Sequence, residues 1–131
     1  MSLNPAIDID HARALGFSEI SAAVLDGLSP SDLDSLPFGV VGLLADGTTR
    51  AYNATEAKMA GIRQVLIIGS HFFSEIGQCM NNFLVAQRFE DEPELDAELD
   101  YVLTLRMRPT PVRLRLLQTP LIAQHYILIG R

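Results

Sequence analysis

Phe38-Gly39-Val40-Val41-Gly42-Leu43-Leu44-Ala45-Asp46-Gly47-Thr48-Thr49-Arg50-Ala51-Tyr52-Asn53 is the stretch that organises the chain. Phe38 to Leu44 reads as a strand, and Ala45-Asp46-Gly47-Thr48 supplies a hairpin turn, since Asp-Gly tolerates the positive φ such turns need. Thr49 to Tyr52 is the returning strand. Asn53 can then cap a short helix over Ala54 to Ala60, which Gly61 helps to stop.

Working outward, residues 6–28 read as helical in part. Apolar Ala14, Phe17, Ile20 and Val24 suit an amphipathic segment that Gly16 and Gly27 weaken or end. Ser29-Pro30-Ser31-Asp32 is a turn or helix start. Downstream, Ser70-His71-Phe72-Phe73 begins another short element, and Phe83, Leu84 and Val85 suggest a helix running to about Phe89. The acid-rich stretch after it is a connection that enters a strand near Leu95. Tyr101, Leu103, Leu105 and Met107 alternate with Val102, Thr104, Arg106 and Arg108, and Val112, Leu114 and Leu116 alternate with Arg113 and Arg115, so two strands are expected. Arg108-Pro109-Thr110-Pro111 is expected as the break between them, because proline cannot serve a central ladder. Gln124 to Ile129 is a further strand. The sum is an α+β domain.

The 131 residues suit one domain, and 48% hydrophobic content is ample for a core. No apolar run is long enough to span a bilayer, and the first residues lack the pattern of a signal peptide. A single cysteine cannot make an internal disulfide, which fits a cytoplasmic setting or a cysteine kept for its chemistry. A net charge of −6 argues against general nucleic-acid binding. The charge is uneven: residues 89–100 hold seven acids and no base, and the last 31 residues hold five arginines and no acid. An acidic connection beside the outer face of an arginine-bearing sheet accounts for that.

Three side chains stand out chemically. Tyr52 and Glu56 lie four residues apart, a spacing that places two side chains on one side of a helical turn. The lone thiol, Cys79, follows close to Phe72 and Phe73. A phenol, a carboxyl and a thiol around an apolar wall would suit a small, covalently held, anionic aromatic ligand. The plain alternative is three unrelated residues. His71 and His125 are isolated and lack a partner at ligand spacing, no cluster has zinc or calcium spacing, and no nucleophile-base or phosphate-loop pattern supports an enzyme.

From Leu33-Asp34-Ser35-Leu36-Pro37-Phe38-Gly39 through Tyr52-Asn53-Ala54-Thr55-Glu56, then Gly69-Ser70-His71-Phe72-Phe73 to Cys79 and Met107-Arg108-Pro109-Thr110-Pro111-Val112, the chain resembles the photoactive yellow protein family. The resemblance covers roughly residues 33–131 and is weak in the first 30. It implies a PAS fold, with a five-stranded antiparallel sheet, short helices on one face and an N-terminal helical cap over 1–32. It further implies a cytoplasmic blue-light receptor, a monomer or weak dimer that signals to another protein. Its cofactor would be p-coumaric acid, held by a thioester to Cys79, with the phenolate oxygen hydrogen-bonded by Tyr52 and Glu56. Tyr101 and Met107 would belong to the strand beside that chromophore. Light would turn it from trans to cis, a proton would pass from Glu56 to the phenolate, and the cap would loosen.

Glu56 is expected to be buried and neutral, so that after proton transfer a carboxylate is left in an apolar site without a cation. The chain departs from the family at Ala60, where a threonine is usual, at Ile62, where an arginine closes the pocket, and at Gln78, where a proline precedes the cysteine. Ile62 then makes a more apolar lid, unless Arg63 swings in. The alternatives are a pigment-free PAS module that binds a small molecule or a protein, and an accessory protein using the Cys79 thiol to accept an acyl group.

Overall fold

The computed structural model describes residues 9–105 and 108–131. Met107, Arg106 and residues 1–8 of the expected cap lie outside the described residues. Strands β1 (Gly39–Leu43), β2 (Thr49–Tyr52), β3 (Leu95–Leu105), β4 (Arg108–Gln118) and β5 (His125–Gly130) form one antiparallel sheet in the order β2-β1-β5-β4-β3. The α+β class and the five strands agree with the sequence reading. At the β1–β2 turn, Gly47 has φ 89° and Leu44 N–H donates to Thr48 O at 2.9 Å. Few other residues adopt that backbone without strain.

Alternation along the strands divides the core in two. Val41, Leu43, Leu114, Leu116, Ile127 and Ile129 meet Phe72, Phe73 and Phe89 on one face. Helices α4 (Ala54–Ala60) and α5 (Ala86–Asp91) lie on this side. Val40, Leu117, Tyr126 and Leu128 point the other way, onto Ile20, Leu25 and Leu33. The second layer comes from α1 (Ile9–Glu19), α2 (Ala22–Asp26) and α3 (Pro30–Asp34), with Gly16 interrupting α1. Among the described residues, no helix is long and apolar enough to cross a membrane.

Two expectations change. Pro109 and Pro111 do not break the chain; they lie within β4, opposite Thr104 and Val102 of β3. They are tolerated because β5 pairs with β4 only from Arg113 to Leu117, so the outer half of β4 has no strand on its second side. The helix expected from Phe83 begins at Ala86, leaving Phe83 76% exposed.

The acidic stretch is also more structured than a connection. Asp96, Glu98 and Asp100 sit in β3 beside the arginines of β4, and Arg113 bonds Glu98 at 3.2 Å and Asp100 at 3.0 Å. Arg115, only 5% exposed, takes both carboxylate oxygens of Asp96 at 3.0 Å. Its remaining guanidinium nitrogen donates to Phe17 O at 3.0 Å and to Ile20 O. One strand residue thus fastens the α1–α2 junction to the sheet.

His125 opens β5, 6% exposed and stacked on Phe89 with ring centres 4.4 Å apart. Burial lowers its pKa from 6.5 to about 4. The unfolded chain therefore binds this proton more readily, and the neutral ring's contribution is complete above about pH 6.5 and lost as pH falls towards 4. Two and a half pKa steps set a ceiling of about 3 kcal/mol. Thermal melts between pH 7 and pH 4 should show this loss, and His125→Gln should flatten it; equal slopes in both proteins would assign the acid sensitivity elsewhere.

Candidate functional site

Tyr52 ends β2 and Glu56 stands in the first turn of α4, so the strand-to-helix corner, rather than one helical turn, brings them together. Asn53 makes that corner. Its Oδ1 accepts from Glu56 N at 3.1 Å and Val40 N at 2.9 Å, and its Nδ2 donates to Leu33 O at 2.8 Å and Phe38 O at 2.9 Å. All four bonding positions of this buried amide are filled. The expected helix cap is present, and it also pins α3 and β1.

Tyr52, Glu56 and Cys79 line one cavity of about 50 Å³. Ala60, Ile62, Phe72, Ile76, Met80, Leu103 and Ile129 supply most of its apolar wall. Tyr52 is 5% and Glu56 2% exposed, whereas Cys79 is exposed. Two buried polar groups and an accessible thiol therefore share one hollow. Gly39 allows the carboxyl to sit where it does, because a Cβ there would collide with Glu56 Oε1. Burial, and then the charge of Glu56, raise the Tyr52 pKa above its ordinary value, while Arg131 pulls it down. The Tyr52 phenol keeps its proton and remains a hydrogen-bond donor.

Glu56 has a neighbour that the sequence reading did not supply. It is not without a cation: Arg131, which follows β5, donates to Glu56 Oε1 at 2.7 Å and Oε2 at 3.1 Å. This two-point pairing is the geometry of a guanidinium on a carboxylate.

Tyr101 supports the cysteine instead of lining the cavity. Its hydroxyl donates to Cys79 O at 2.6 Å and accepts from Asn82 Nδ2 at 2.6 Å. Asn82 Nδ2 also reaches Cys79 O at 3.1 Å, so the turn carrying the thiol is held from two sides. Ile62 is among the residues lining the pocket, and Arg63 is exposed outside it. Met107 lies outside the described residues. Sequence reasoning missed Asn82 and Arg131; only an asparagine three residues beyond Cys79 could have suggested an Asx turn there.

The donor set suits a phenol-bearing acyl group, with a thiol for attachment, polar atoms for its oxygen and apolar sides for its ring. The space is tight, since an apolar cavity that admits benzene is about 150 Å³. The walls must part to take an aromatic ring. His71 and His125 meet at a separate cavity with Asp46 and Glu90. Among the described residues, no group of three or more such side chains could hold a metal ion.

No family model matches the chain. It is 32% identical over 104 residues to the photoactive yellow protein of Rhodothalassium salexigens, spanning 77% of this chain and 82% of that relative. The photoactive yellow protein domain of the sensor histidine kinase Ppr from Rhodospirillum centenum is similar at TM-score 0.76 and 28% identity, over 83% of this chain and 98% of that domain. The PAS domain of an HTR-like protein from Haloarcula marismortui, at TM-score 0.58 and 18% identity over 78% and 91%, shares the fold alone.

Proposed function

Because the chain belongs to the photoactive yellow protein family, we propose that it is a cytoplasmic blue-light photoreceptor carrying a p-coumaroyl thioester on Cys79, with the phenolic oxygen directed at Tyr52 and Glu56. The observation that carries this reading is the single cavity joining an exposed thiol to a buried phenol and carboxyl. Attachment requires an activated p-coumarate. The Cys79 thiolate attacks its carbonyl carbon, an S–C bond forms, the activating group leaves with its electron pair, and the thiol proton goes to solvent.

When bound, the group supplies light-driven trans-to-cis isomerisation. Tyr52 donates a hydrogen bond to its oxygen, Tyr101 and Asn82 hold the Cys79 turn, and the apolar walls exclude water. Glu56 is the group that exchanges a proton with the phenolic oxygen. The signal leaves through residues 1–32, acting as a cap on the sheet, to a signalling protein. This is sensing, with no catalysed reaction.

A pigment-free PAS module is the second reading, favoured by the Glu56–Arg131 pair, because a carboxylate has no proton to donate to a phenolate. Treating the purified protein with p-coumaric anhydride separates the two. The first reading requires a visible absorption band and an intact-mass gain of one p-coumaroyl group, both absent in Cys79→Ser. An unmodified mass and no band, under conditions that load a photoactive yellow protein run in parallel, would leave the second.

A further inference from the structure

Glu56 is 2% exposed and meets the Arg131 guanidinium with both carboxylate oxygens. Gly39 of β1 closes on it from one side, Tyr52 of β2 stands at the same cavity, and Arg131 arrives from the end of β5. We propose that Arg131 is the counter-ion of the pocket acid, a positioning residue that holds Glu56 as a carboxylate and so decides whether a phenol seated against it keeps its proton. For the pigment, this rests on the reading above; for Glu56 itself, it does not.

The reasoning is charge balance. Two anions in contact within one apolar hollow repel strongly, so a carboxyl and a phenol placed there share one proton. With the guanidinium on Glu56, the negative charge stays on the carboxylate and the phenol retains the proton, donating it as a hydrogen bond. Without Arg131, a buried carboxylate has lost its partner and takes up a proton. The neutral acid then donates to a phenolate, the arrangement expected from sequence.

Infrared spectroscopy of the pigment-free protein at pH 7 tests the first half. Relative to Glu56→Gln, the wild type should show no protonated-carboxyl C=O band. Arg131→Gln should gain one, and Arg131→Lys, which keeps the charge, should not. A protonated-carboxyl band for Glu56 in the wild type would overturn the proposal, as would its absence in Arg131→Gln. Wild type and the lysine variant decide the matter if the glutamine variant does not fold.

The second half is read in the loaded protein. Arg131→Gln should raise the ratio of long-wavelength phenolate to short-wavelength phenol absorbance by about 10- to 1000-fold, the range a charge within about 4–6 Å imposes. An unchanged ratio would refute Arg131's control of the phenol. Failure to load any variant would count against the pigment and leave the infrared result standing.

Discussion

Asn53→Ala should cost about 4 kcal/mol or more in urea denaturation, since it removes a helix cap worth about 1 kcal/mol and orphans further buried backbone groups at about 1–3 kcal/mol each. Beside the capped Glu56 N, these are Val40 N and Phe38 O, whereas Leu33 O still accepts from Leu36 N at 3.2 Å. A domain of this size has about 5–15 kcal/mol in total, so the variant should be close to unfolding at room temperature. Asn53→Asp is the informative companion. It keeps the oxygen that serves Glu56 N and Val40 N, but replaces the donor facing two carbonyls with another acceptor. Its cost should fall below that of alanine only if the cap bonds dominate. A loss under about 1 kcal/mol for Asn53→Ala, the worth of one ordinary hydrogen bond, would mean that water or a neighbour takes over. The site should suffer with the fold, because the Asn53–Glu56 bond sets the first turn of α4.

Asn53 also shows where sequence reading succeeds and stops. An asparagine before Ala54 to Ala60 announces a helix start, because capping is a bond between residues three apart. The bonds to Leu33, Val40 and Phe38 are invisible to that logic, since they cross 13 to 20 residues of chain. The β1–β2 turn is legible for the same local reason: Asp46-Gly47 carries its conformation within itself. Alternation in β4 correctly puts Val112, Leu114 and Leu116 on one side and Arg113 and Arg115 on the other. The prolines mislead because a local rule forbids them a central ladder, and nothing nearby reveals that β5 stops at Arg113. Phe83 misleads too, since an apolar residue beside Val85 suggests a buried helix face.

At the site, residue type was more legible than pairing. A buried acid at Glu56 follows from the family resemblance, but its partner lies 75 residues away, beyond β5. Any arginine read alone is a surface residue by default. Two arginine side chains here are largely buried instead, one paired with Glu56 and one holding the helical layer. Only the strand order that places β5 and β4 in the middle of the sheet makes those roles possible.

Arg115→Ala should loosen α1 and α2 selectively, at a cost of about 3 kcal/mol, the worth of two hydrogen bonds from a charged donor. Asp96 is not the costly orphan, for its side chain is 65% exposed and water replaces the guanidinium there. Phe17 O and Ile20 O lose the donor instead, 98 and 95 residues along the chain from it. The remaining described ties include Tyr126 Oη to Asp26 at 3.3 Å, Ser18 Oγ to Glu98 Oε1 at 3.3 Å on the exposed side, and the edge contact of Phe17 with Phe38, all weaker or apolar. Hydrogen exchange should therefore quicken in residues 9–26 while the amides of β1 and β5 stay protected. Arg113→Ala is the control, because that side chain is half exposed and its pairs are worth about 0–1 kcal/mol. Arg115→Lys should fall between them, as an ammonium cannot reproduce the flat, multi-pronged contact with a carboxylate and two carbonyls. If Arg115→Ala instead accelerated exchange uniformly, the helical layer and the sheet would unfold as one unit. A signal delivered by the cap alone would then have no mechanical basis in this protein.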